Sequence, residues 1–394
     1  MTANALFAEH RWPQVFAGLR ARGPLHYCPE SFYGPYWSVV KHAAIMEIEA
    51  QPEQYSSSWE HGGVTVLHND PDMHLPMFIA MDRPRHTGMR RTVAPALAPA
   101  ALSGHSDAIR ARTGRLLDSL PLGEPFDWVR TVSTELTTQM LAVLFDFPWH
   151  DRHLLAHWAN WGADFRAAVS PMLRAKRRRV LGEMTAYFGR LWEERRERGE
   201  APDLLSRMLH SESMSQLRPQ EFAGNLMLLV IGGTDTTRQS MTGLVVAANS
   251  FPESWDALLA APANAPTAVS ELIRWQTPLS HMRRTATEDT EFAGERIRRG
   301  DKIVLWYNSA NRDEEIFADG DRFDIARPNV RRHLAFGFGI HRCVGARLAE
   351  LQLLILYQEM LARGMRVTTL HAPVRIPSPF SNGYRKQMVT VSRM

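Results

Sequence analysis

Apolar side chains recur every three to four positions over several long segments of this chain. The spacing is helical from Ser106 to Leu120, Val129 to Phe145, Arg152 to Phe165 and Pro171 to Arg198, with proline and glycine clusters at the breaks. A longer apolar segment, Pro219 to Phe251, ends against Pro252 and predicts one long helix; another is predicted from Ala346 to Leu361, stopping at Gly364. Strand-like pieces are short: Tyr36 to Val40, Val64 to Leu67 and Met365 to Leu370. Ala43 to Glu49 reads as a helical turn, His61 to Asp72 as a loop, and Phe380 to Tyr384 as a hairpin tip. The pattern predicts a mostly α middle with β-rich parts at about 34–70 and 365–392.

Two places break the pattern. Inside the longest helix sits Gly232-Gly233-Thr234-Asp235-Thr236-Thr237. Two glycines in a helix interior cost about 1 kcal/mol each against alanine, so something other than helix propensity favours them, such as a bulky flat ligand pressed against the helix. The second is Phe336-Gly337-Phe338-Gly339-Ile340-His341-Arg342-Cys343-Val344-Gly345, a lone cysteine between a glycine-punctuated loop and a helix start. The positive end of that helix favours a thiolate, an electron-rich ligand. Zinc would want three or four cysteine or histidine ligands at short spacing, and a disulfide wants a partner. The only other cysteine, Cys28, lies far upstream, so neither reading is supported. His86 and Arg90 are four apart and share a helix face, as do Glu271 and Arg274 at three apart; alone, each is an ordinary helix-surface pair.

Composition narrows the class. Of 394 residues, 44% are hydrophobic and 22% charged, close to globular averages, which excludes a disordered or fibrous chain. The longest central apolar run, Leu226 to Ile231, is far short of a membrane span, and Met1 to Pro13 shows no apolar signal region. With two cysteines, a cytoplasmic, reducing location is expected. The net charge of +4 raises nucleic acid as a partner. The basic runs, Arg174 to Arg179 and Glu193 to Arg198, read instead as solvated helix faces, because no aromatic interleaving or nucleic-acid motif accompanies them.

The cysteine stretch resembles the ligand loop of the cytochrome P450 family, the haem-thiolate monooxygenases, which reads Phe-Gly-x-Gly-x-His/Arg-x-Cys-x-Gly; every position is matched. The family's distal helix carries Ala/Gly-Gly-x-Asp/Glu-Thr-Thr, matched at Gly232 to Thr237. The resemblance runs from about Gly34 to the end. It implies one mainly helical domain, 1–394, with haem b buried between the distal helix, about 220–250, and the loop 336–345. It makes Cys343 the iron ligand, with Phe336 and His341 beside the cofactor. It further assigns the propionates to His86, Arg90 and Arg284, the last in the strand Met282 to Ala286. Proton relay falls to Asp235 and Thr236 where the helix opens at its glycines, and a supporting scaffold to Glu271, Arg274 and Arg327.

The resemblance also implies the reaction: dioxygen activation and hydroxylation of an unactivated C–H bond, because a thiolate ligand pushes electron density toward the bound oxygen. The chain shows no flavin or ferredoxin motif, so a ferredoxin and its NAD(P)H-dependent reductase are the implied partners. The stretches Leu75 to Asp82, Trp275 to Ala286 and Arg331 to Gly345 are closest in wording to the bacterial terminal alkane and fatty-acid hydroxylases. Leu228, Ile231, Gly232, Leu279 and Phe380 are the expected pocket walls, apolar and suited to an aliphatic guest. A terpene, steroid or polyketide is the alternative substrate class; a basic nucleic-acid-binding protein without catalysis is the rival of a different kind.

Overall fold

Two helices frame the molecule, and their packing decides where everything else sits. The computed structural model describes residues 1–66, 75–164, 166 and 170–393. Pro219–Ser250 runs as one unbroken helix through the interior, started by Pro219 in its first turn and by Glu221, whose side chain reaches back to the Arg218 N–H. Its apolar residues are shared between two cores. Leu226, Met227 and Val230 pack with Met140, Leu141, Trp158 and Phe188; Met241, Leu244 and Val245 pack with Leu272, Leu353 and Leu356. The second frame helix, Ala346–Ala362, follows the cysteine and buries Leu353, Leu356 and Tyr357 in that second core.

The helical segments form where the spacing predicts. They span Ser106–Asp118, His153–Gly162 and Pro171–Arg198, while Val129–Thr134 is a π-helical turn leading into Glu135–Leu144. Trp158 belongs to the first core, whereas Met172 is exposed; Phe165 lies outside the described residues.

The β structure departs from expectation. A five-stranded sheet has the order Leu25–Cys28, Tyr36–Val39, Lys302–Trp306, His281–Ala286, Tyr55–Ser56, with Tyr36–Val39 parallel to Lys302–Trp306 and the other pairs antiparallel. It is therefore assembled from both ends of the sequence and is not contained in residues 34–70. Val64 to Val66 form no strand; the Val64 carbonyl takes one bond, from the Arg283 N–H, and Leu67 and the loop residues 68–72 lie outside the described residues. A second sheet pairs Met365–Thr369 with Met388–Arg393 and recruits Phe126–Asp127 from far upstream. Val374–Arg375 pairs with Tyr384–Lys386, which makes 380–383 the tip of a hairpin.

Candidate active site around Cys343

The cysteine loop is closed by its own backbone: the Cys343 N–H donates to the Phe336 carbonyl at 2.8 Å. Gly337 and Gly339 both sit at positive φ, +68° and +64°. Neighbours also hold both positions to glycine, since a Cβ at Gly339 would collide with the Glu49 carbonyl and one at Gly337 would crowd the Tyr307 hydroxyl. Cys343 is a free, accessible thiol, yet it stands amid enough protein that burial pushes its pKa up, while the Gly345 N–H, Arg90 and Arg342 pull it down. Coordination to a metal cation would outweigh that burial penalty and hold the thiolate. The Phe336 ring lies under the Arg342 guanidinium.

Beside the loop stand polar groups without protein partners. His86, on the helix Arg85–Val93, and His341 are stacked with ring centroids 4.2 Å apart, and all four of their ring nitrogens are buried and unpartnered. Burial, first, then neighbouring arginines depress both: His86 to about 4, with Arg90 and Arg83 contributing, and His341 to about 2, with Arg284, His86 and Arg90 contributing. Burial also lowers the Arg90 pKa, and the Cys343 thiolate partly offsets it. Among the described residues Arg90 has no carboxylate partner. Buried donors left open in this way mark a place for an anion.

Arg284 is placed differently. Its Nη2 donates to Glu49 Oε1 at 2.6 Å and its Nη1 to the Arg283 carbonyl. Glu49 also accepts from the Tyr307 hydroxyl at 2.7 Å and from the Phe338 N–H at 2.9 Å. Sequence reasoning assigned Arg284 to a propionate and missed Glu49. The residue ends an unremarkable predicted helical turn, and nothing local in the sequence links it to a cation far along the chain.

On the distal side, Leu228, Gly232 and Thr236 fall on one helix face at spacings of four. A Cβ at Gly232 would meet nothing within 4 Å, as a surface that receives a ligand requires, whereas at Gly233 it would run into Leu141 at 2.5 Å. One glycine thus serves the open face and the other helix packing. The expected local opening is not present: Gly232 to Thr237 stay helical, and Thr236 Oγ1 donates to the Gly232 carbonyl at 3.3 Å. Asp235 accepts from Arg238 Nη2 at 2.5 Å, Gln239 Nε2 at 3.1 Å and Ser381 Oγ at 3.0 Å. That last bond holds the hairpin tip against the distal helix, and Leu279 comes with it through an antiparallel bridge to Ser381, whereas the expected pocket residue Phe380 packs its ring edge-on against His281 and on the core cluster of Phe16 and Trp306. Ile231 points elsewhere, packing on Gly162 of the helix His153–Gly162.

Behind the loop, Glu271 receives Arg274 Nε at 2.7 Å and Nη2 at 2.8 Å, together with Arg327 Nε at 3.1 Å. Arg274 Nη1 donates to the Asn311 carbonyl, and Asn311 Oδ1 takes the Leu334 N–H, two residues before Phe336. The three residues form one buried cluster bonded to the strand-to-loop backbone.

Comparison with known proteins matches this arrangement. The cytochrome P450 family model matches residues 265–370. Linalool 8-monooxygenase of Pseudomonas putida is 37% identical, covering 98% of this chain and 97% of its own. Methyl-branched lipid omega-hydroxylase of Mycobacterium tuberculosis is 32% identical over 96% of this chain and 90% of its own. The structure of cytochrome P450-153 from Novosphingobium aromaticivorans is 50% identical with a TM-score of 0.94, covering 99% and 98% of the two chains. A long interior helix sharing a core with the helix that follows the cysteine loop, with these relatives, defines an oxygen-activating monooxygenase. The chain belongs to the cytochrome P450 family. Its cofactor is haem b, and the residues present fit it: an accessible thiol at a helix start, four orphaned imidazole nitrogens with an unpaired arginine for the propionates, and an open glycine on the opposite helix.

Proposed function

We propose that this monooxygenase hydroxylates the terminal methyl of a medium-chain alkane or fatty acid, in the cytoplasm, as a single 1–394 domain supplied with electrons by a ferredoxin and its NAD(P)H-dependent reductase. The observation that carries the reading is the open face at Gly232 of the distal helix, with Leu228 one turn before it and Leu279 tied to the same helix through Ser381. Attack on a methyl end opposes bond strength, since methylene C–H bonds are weaker, so a wall must admit the chain end alone. The likeness to a methyl-branched lipid omega-hydroxylase supports this regiochemistry.

When bound, haem b held by a thiolate supplies the oxygen-activating chemistry. The chain's part is to hold and protonate. Cys343 gives its sulfur, and the Gly345 N–H with Arg90 and Arg342 stabilises the charge there. His86, Arg90 and His341 would hold the propionates. Thr236 carries a hydroxyl proton on Oγ1, now donated to Gly232, that can be turned into the pocket; Asp235 stands next to it, oriented by Arg238, Gln239 and Ser381. Leu228 and Leu279 exclude water and orient the guest.

The likeness to linalool 8-monooxygenase favours a second reading, the same chemistry on a terpene. Two measurements test both. The reduced carbon monoxide complex of the purified protein should show the thiolate-type band, and octane, a medium-chain fatty acid and linalool should be turned over with products separated by gas chromatography. A terminal alcohol from the linear chains supports the first reading. Subterminal alcohols alone, or turnover of linalool only, overturn it.

A further inference from the structure

Among the described residues Glu49 is the buried acid that joins the cysteine loop to a cation on another element, and its position is costly. It ends the helix His42–Glu49, where the dipole disfavours an anion, and it is 3% exposed. Burial pushes its pKa up, against Arg284, the Tyr307 hydroxyl and the Phe338 N–H, which pull it down. An apolar residue would fill such a helix position without that cost. What the carboxylate adds is charge, placed 2.6 Å from Arg284, and a bond to the loop five residues before Cys343. It touches that loop twice, because its own carbonyl lies where a Cβ of Gly339 would be. Through Glu49, the Arg284 guanidinium is held two hydrogen bonds from the backbone of the loop that carries Cys343.

We propose that Glu49 is a positioning residue that neutralises Arg284 beside the haem site and, through Phe338, fixes the cysteine loop, so that the iron sees the thiolate without an added positive charge. This rests on the proposed haem-thiolate reading and deepens it. The consequence is electrostatic: with Glu49 neutral, the uncompensated Arg284 charge favours the ferrous over the ferric state, and the one-electron reduction potential rises.

The test uses the holoprotein. Glu49→Gln removes the charge and keeps one oxygen, enough for the Phe338 N–H that Oε2 accepts, while its amide nitrogen takes the place of the Oε1 that accepts from Tyr307 and Arg284; spectroelectrochemical titration should give a potential more positive than wild type, with the thiolate-type carbon monoxide band retained. Adding Arg284→Gln to that variant should return the potential toward wild type. A Glu49→Gln potential equal to wild type, or a shift that survives loss of Arg284, overturns the inference. Should Glu49→Gln not take up haem, Glu49→Asp decides. Uptake with a wild-type potential supports a demand for charge; failure of Asp as well means that shape alone matters and overturns the inference. A wild-type protein lacking the band sinks the proposed function itself, a result distinct from any of these.

Discussion

Thr236 donates to the carbonyl one turn behind it, so its hydroxyl is satisfied within the helix and available to rotate at little cost. Thr236→Ala removes that hydroxyl and little volume, and folding and haem uptake should survive. Alcohol formed per NAD(P)H consumed should fall several-fold, with hydrogen peroxide making up the difference. An unchanged ratio would show that Thr236 only packs. His281 makes a residue-scale argument of another kind. Its Nδ1 donates to the Pro379 carbonyl at 2.9 Å, Nε2 is buried and unpartnered, and burial lowers its pKa from 6.5 to about 4. Between those values the unfolded chain binds a proton that the folded one refuses, so stability falls as pH falls through that window, by up to about 1.4 kcal/mol per pH unit. His281→Asn keeps a donor and cannot titrate; its urea midpoint should decline less between pH 6.5 and 4.5 than that of wild type, and equal declines would refute the assignment. At this scale the sequence was legible where a residue is part of a motif, as with Cys343 or Glu271. It was silent where a role depends on a partner distant in the chain, as with Glu49 and Arg284.

At the scale of elements, the long helices from Ser106 onward were readable because each carries its own apolar face, and boundaries shifted by only a few residues, while shorter ones such as Trp12–Arg20 and Pro252–Ala260 were not read. Strands were harder. Lys302–Trp306 lies in the middle of its sheet and reads Lys-Ile-Val-Leu-Trp, with Ile303, Val304, Leu305 and Trp306 all buried, so no alternation announces it. Gly232 and Gly233 show the same limit: adjacent glycines, one facing open space and the other a leucine, cannot be told apart by sequence. Glu271 couples elements most strongly, since Arg274 and Arg327 depend on it and all three are buried. Glu271→Gln leaves two buried guanidiniums without a countercharge, a loss of about 3–5 kcal/mol. Urea unfolding of the holoprotein should show it, and a wild-type midpoint would mean that the carbonyl acceptors around Arg274 suffice.

The whole molecule carries +4, and part of that excess lies beside the ligand loop. Arg331, Arg332 and Arg342 are exposed there, and none of them is in an ion pair among the described residues. An acidic ferredoxin would be drawn to this face, and salt shortens that attraction to about 8 Å at physiological ionic strength. Turnover with an acidic ferredoxin should fall as salt rises while substrate binding, read from the haem spectrum, stays level; a flat turnover profile would place the partner elsewhere. No described helix is long and apolar enough to cross a membrane.

The parallel pairing of Trp37 with Ile303 has a kinetic meaning. A ribosome adds about 5–20 residues per second, so the strand Tyr36–Val39 waits tens of seconds for its partner to be made. During that time its edge toward Lys302–Trp306 is open, and Leu25–Cys28 can cover only the other one. Closing so wide a loop makes the sheet a late event in folding. The haem site inherits that order, because Glu49 on one side of the gap meets Arg284 and Tyr307 on the other only once most of the chain has been synthesised.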